Sequence, residues 1–97
     1  MTVKFVLPRH QHFSWRIVEV LGLTLTDEGY FNRKLKLEGK PFSIYSKDLF
    51  DYLLRQGISK QLENSEEIKL RIPSSLLVKE KKLVRKKPVT LTIRKVK

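Results

Sequence analysis

Alternation with a period of two constrains this chain more than any other feature. In Val89-Thr90-Leu91-Thr92-Ile93-Arg94, the residues Val89, Leu91 and Ile93 fall on one side, and Thr90, Thr92 and Arg94 on the other. Ile68-Lys69-Leu70-Arg71-Ile72 repeats the pattern with a basic polar side. Side chains of an extended segment point to opposite faces in turn, so both stretches read as strands that bury one face and wet the other.

The stretch from Phe13 to Thr26 alternates over a longer range. Its odd positions are Phe13, Trp15, Ile17, Glu19, Leu21, Leu23 and Leu25, all apolar except Glu19. They define the core face of a long strand with a bulge at Gly22. A helix competes over Phe13–Leu21, because Phe13, Ile17, Val20 and Leu21 also share a helical face. The β-branched Ile17, Val18 and Val20 and the continued alternation through LGLTLT favour the strand.

Around these segments the chain reads as an antiparallel meander. Thr2–Leu7 is a first strand ended by Pro8. Asp27-Glu28-Gly29 forms a hairpin loop, and Phe31–Glu38 returns with Lys34 and Lys36 on its polar face. After a turn at Glu38–Pro41 comes a short strand, Phe42–Tyr45. SKDLFDYLLRQG carries the helix signals: Ser46 as N-cap, Asp48 in the first turn, Arg55 near the end, and Gly57 to close it. Leu49, Phe50, Leu53 and Leu54 form its apolar stripe. Ser59–Glu67 reads as a polar, acidic loop, and 74–87 as irregular with one turn and part of a strand. The expected fold is α+β, one domain over 1–97: a small, mainly antiparallel β-sheet of about five or six strands with one amphipathic α-helix packed on one face.

Composition narrows the function. The net charge is +11, and it is unevenly placed. Before Lys79 there are twelve basic residues against nine acidic ones; from Lys79 onward there are nine against one, Glu80. Such a bias favours a polyanionic partner, nucleic acid before an acidic protein surface. The candidate phosphate contacts are Lys34, Lys36, Lys69, Arg71, Lys82, Arg85, Lys86, Lys87, Arg94 and Lys95. Lysines on strand exteriors also serve to keep edges soluble, which is the competing explanation for the 34/36 and 69/71 pairs. Tyr30 and Tyr45 are the aromatic residues placed to stack on bases, whereas Phe13, Trp15, Phe31, Phe42 and Phe50 fall on core faces.

Several chemistries find no support. The chain has no cysteine, which excludes disulfides and thiolate ligands. His10 and His12 form an H-x-H pair that lacks a further metal ligand, so no metal or other cofactor is expected. No phosphate-cradling Gly-rich loop or nucleophile motif points to an enzyme. Glu19 is the one acid on an apolar face. No apolar run approaches the ~20 residues of a membrane span, and a cytoplasmic setting is the expectation. The sequence reading is therefore a non-enzymatic DNA- or RNA-binding protein that grips phosphates with a basic sheet face and a C-terminal basic segment. The alternative is a regulatory module docking an acidic partner protein. A homodimer would enlarge the basic surface. No motif is specific enough to carry residues over from a known family.

Overall fold

The computed structural model describes residues 2–9, 14–25 and 32–96. Among these, the chain forms β1 (Thr2–Arg9), β2 (Ser14–Leu21), β3 (Leu23–Leu25), β4 (Lys34–Leu37) and β5 (Phe42–Tyr45). Helices α1 (Ser46–Arg55) and α2 (Ile58–Gln61) follow, then β6 (Glu67–Ile72), a 3-10 turn at Ser74–Leu76, β7 (Val78–Lys79) and β8 (Val89–Lys95). The strands make two antiparallel four-stranded sheets, ordered β1-β2-β8-β6 and β3-β4-β5-β7. The α+β class is as expected, but one sheet of about five or six strands is replaced by two sheets of four.

The division comes from Gly22. Its φ of +82° lies in the left-handed region, where a side chain would be strained. Instead of a bulge in one strand, the backbone turns out of the first sheet at β2 and enters the second at β3. The Glu38 N–H donates to the Gly22 carbonyl at 2.9 Å and fixes the bend against the end of β4. The bend also reverses the phase of the alternation. Val18 and Val20 are buried before it, and Leu23 after it. The odd set from Phe13 to Leu25 is therefore not one core face. Trp15, Ile17 and Leu25 are exposed, and Phe13 lies outside the described residues. Val18 and Val20 win the inner face because they sit opposite Phe5 and Val3 of β1.

Pro8 does not stop β1, which runs on to Arg9, with Pro8 paired to Trp15. An edge strand tolerates a missing N–H when it faces away from its only neighbour, and β1 is an edge. The terminal alternation behaves as the sequence implied. β8 is an interior strand with β2 on one side and β6 on the other. Val89, Leu91 and Ile93 are buried in the core.

Helix α1 covers the inner face of the first sheet. Leu49 and Leu53 are buried, and the Phe50 ring lies 6.4 Å from that of Phe5 on β1. On the other side the Tyr52 hydroxyl donates to the Arg71 carbonyl of β6 at 3.0 Å. The helix thus reaches both edge strands. Ser46 is its first residue rather than its N-cap, which is Tyr45. The capping acceptor comes from elsewhere: Asn32 Oδ1 accepts the Lys47 N–H at 2.9 Å. Such caps contribute about 1 kcal/mol. Ser46 Oγ is turned back to accept the Arg33 N–H at 2.9 Å, tying the helix start to the chain entering β4.

Gly57 ends α1 in the left-handed conformation expected, at φ 65°. The segment after it is not all loop, because α2 begins there and buries Ile58, with Leu62 buried just beyond. Two apolar residues four apart marked this turn in the sequence, but the polar residues around them obscured it. Among the described residues no helix is long and apolar enough to cross a membrane.

Candidate nucleic-acid interface

The basic residues fall into three groups set by the sheet geometry. The first lies on the outer face of the second sheet. Lys34 and Lys36 alternate outward along β4, with Tyr45 opposite Lys34 and Ser43 opposite Lys36. Lys36 is exposed, and Tyr45 is 36% exposed. Lys34 has an internal role, because its Nζ lies 3.5 Å from Glu80 Oε1 just past β7. The buried Ser43 hydroxyl donates to the same carboxylate oxygen. Together with the Glu80 N–H donating to the Pro41 carbonyl at 2.8 Å, these bonds fasten the start of the basic segment to the second sheet.

The same contacts set the charge state of Glu80. The Ser43 hydrogen bond holds its carboxyl below the ordinary range; partial burial opposes that, and the charges of Lys34 and Lys36 add to it. A depressed folded-state pKa contributes stability that is present above the unfolded value and is lost as pH falls through the folded one. Thermal melts taken from about pH 6 down to about pH 3 should therefore show part of the acid destabilisation disappearing in Ser43→Ala. Identical slopes for the two proteins would separate Glu80 from the acid response.

The second group is the segment joining the two sheets. Lys81, Lys82, Arg85, Lys86 and Lys87 are all exposed. A turn closes where the Val84 N–H donates to the Lys81 carbonyl at 3.4 Å. Val84 packs against the core while its neighbour Leu83 is fully exposed. One flank of this segment borders a depression of about 340 Å³, lined by Lys36, Lys40 and Lys81 among others. Lys40 and Lys81 were not singled out from the sequence; their proximity depends on β7 pairing with β5.

The third group is on the outer face of the first sheet. Lys69 and Arg71 of β6 stand opposite Thr92 and Thr90 of β8, and Arg94 stands between Glu19 and Glu67. Lys69, Arg71 and Arg94 are exposed. Lys4 of β1 joins the row through its pairing with Glu19. Glu19 thus shares its face with Trp15 and Ile17 as the alternation implied, but that face is the outer one, and its Oε2 lies 3.7 Å from Arg94 Nη2. Arg71 of the third group lines a cleft with Tyr52, Pro73, Ser74 and Pro88, the residue that follows the second group.

Lys95 does not fit the expected surface. It is the last residue of β8, and its side chain is only 19% exposed, with Nζ 4.0 Å from Glu66. It faces inward with the odd-numbered residues of β8. Tyr30 lies outside the described residues, as do His10, His12 and Phe31. Phe42 is buried and Phe50 is packed against the core, as their positions implied.

Trp15 is the aromatic residue that sequence reasoning assigned to the wrong place. It is 67% exposed on the outer face of β2, beside Ile17 at 43% and, across the pair, Val6 at 50%. The available signal was the choice between two apolar sets in IVEVL, and pairing with β1 decides it. No protein-family model, curated protein or solved structure matches the chain.

Proposed function

We propose that this domain is a non-enzymatic nucleic-acid-binding protein that holds phosphates with the basic segment 81–87 and the adjoining outer face of the first sheet. The observation that carries this reading is the nine-to-one excess of basic over acidic residues from Lys79 onward. Its exposed members Arg85, Lys86 and Lys87 lead directly into β8, where Arg94 shares a face with Lys69 and Arg71 of β6. Solubility alone calls for a net charge of only a few units in a small domain, well short of +11. Lys36, Lys40 and Lys81 extend the positive surface onto the second sheet.

A salt series tests the reading. Affinity for labelled single-stranded and duplex oligonucleotides should fall linearly on a log–log plot against salt. About six phosphate contacts give a slope near −4 for single strands and near −5 for duplex. Absence of binding to any nucleic acid at low salt would overturn it.

One observation favours a second reading. Leu83 is a fully exposed apolar side chain within the basic turn, a combination suited to an acidic protein groove with an apolar pocket. On that reading nucleic acid fails to bind at low salt.

A further inference from the structure

Trp15, Ile17 and Val6 form an apolar patch that the core does not use. The inner face of β2 is already filled by Val18 and Val20, both fully buried. The Val6↔Ile17 and Pro8↔Trp15 pairs place these side chains together on the outer face of the first sheet. Trp15 keeps two thirds of its apolar surface in water, and with Ile17 and Val6 beside it the exposure is contiguous, the kind of patch that marks an interaction site.

The surrounding charge narrows what that partner is. Glu19, Arg94 and Glu67 are level across β2, β8 and β6. Strands β2 and β6 are each antiparallel to β8, and so run in the same direction. Trp15 lies four residues before that level and Arg71 four residues after it. Their separation along the strands is therefore about 26 Å. Arg94 and Lys69 lie between, and the basic segment adjoins the Arg71 end through Pro88. Cations thus concentrate at one end of the face and the exposed aromatic ring stands at the other. Glu19 and Glu67 lower the charge midway, where a carboxylate can accept from a base amino group but repels phosphate.

We infer that the form of nucleic acid bound is single-stranded, with its phosphates entering along segment 81–87, Arg71 and Lys69, and a base stacked on Trp15. This inference rests on the proposed function and deepens it. A duplex keeps the faces of its bases stacked inside, so only an unpaired strand can offer one to the ring.

The chain contains a single tryptophan, so its fluorescence reports on this one position. Titration with a short oligothymidylate should quench the emission, and added salt should restore it. Trp15→Leu should keep the thermal melt and lose roughly 5- to 150-fold in affinity for oligothymidylate, the worth of one stacked base. Its affinity for a fully paired duplex should be unchanged. Trp15→Phe should recover most of the loss. If a labelled oligothymidylate binds while the emission and the Trp15→Leu affinity stay unchanged, single-strand stacking is overturned and phosphate binding stands. If neither oligonucleotide binds at low salt, the proposed function falls with it. Emission that changes with protein concentration alone assigns the patch to self-association and overturns the inference. The quenching measurement needs no variant, so it decides even if Trp15→Leu misfolds.

Discussion

Ile93→Asp is expected to leave the chain unfolded at 25 °C. Ile93 is fully buried at the centre of the first sheet, paired with Val20 on one side and Ile68 on the other. Loss of the isoleucine side chain alone costs about 2–5 kcal/mol. A carboxylate in its place sits among the apolar inner-face residues Val18, Val20, Leu70 and Leu91, and the next inward residue along β8, Lys95, has its Nζ directed to Glu66 at 4.0 Å. The aspartate must protonate or drag water into the core, and either adds several kcal/mol. The sum reaches the whole stability of an ordinary small domain, about 5–15 kcal/mol. Circular dichroism and a urea melt check the result, with Ile93→Val as the graded control at about 0.5–1.5 kcal/mol. A folded Ile93→Asp with an unchanged melt would mean that the terminal segment does not complete the sheet.

That strand was readable because its two faces differ in chemistry. Threonine and arginine alternate with valine, leucine and isoleucine, leaving one way to place it. β6 was readable for the same reason, and α1 through its apolar stripe and Gly57. The stretch from Phe13 to Leu25 was not, because apolar residues occupy both faces and periodicity alone cannot choose between them. Two long-range facts decide: the pairing with β1 puts Val18 and Val20 opposite Phe5 and Val3, and Gly22 reverses the phase. The helix cap was missed for a similar reason. Ser46 has the right chemistry at the right place, yet Asn32, fifteen residues upstream of Lys47, supplies the acceptor. The candidate interface divides likewise. Outward lysines could be read from alternation, but not that Lys34 is engaged by Glu80, that Lys95 faces inward, or that Lys40 and Lys81 come together.

The largest expected effect on binding is that of removing Arg85, Lys86 and Lys87 together. All three are exposed and none belongs to a strand or helix, so the triple alanine variant should melt as the parent does. Each phosphate contact on a single strand contributes about 0.7 to the salt slope, so losing three should lower its magnitude by about 2. The same relation, taken at 0.1 M salt, gives a loss of affinity on the order of a hundredfold. Lys34→Ala is the informative contrast. It removes a positive charge from the same protein, but one that holds Glu80 and with it the start of the basic segment. It should weaken the fold measurably and change the salt slope little. Fluorescence anisotropy across a salt series, with thermal melts of both variants, separates the two roles. Equal loss of slope in Lys34→Ala and in the triple variant would point to charge density without a located site. No change in the triple variant would move the phosphate contacts off segment 81–87 and leave only the sheet face to make them.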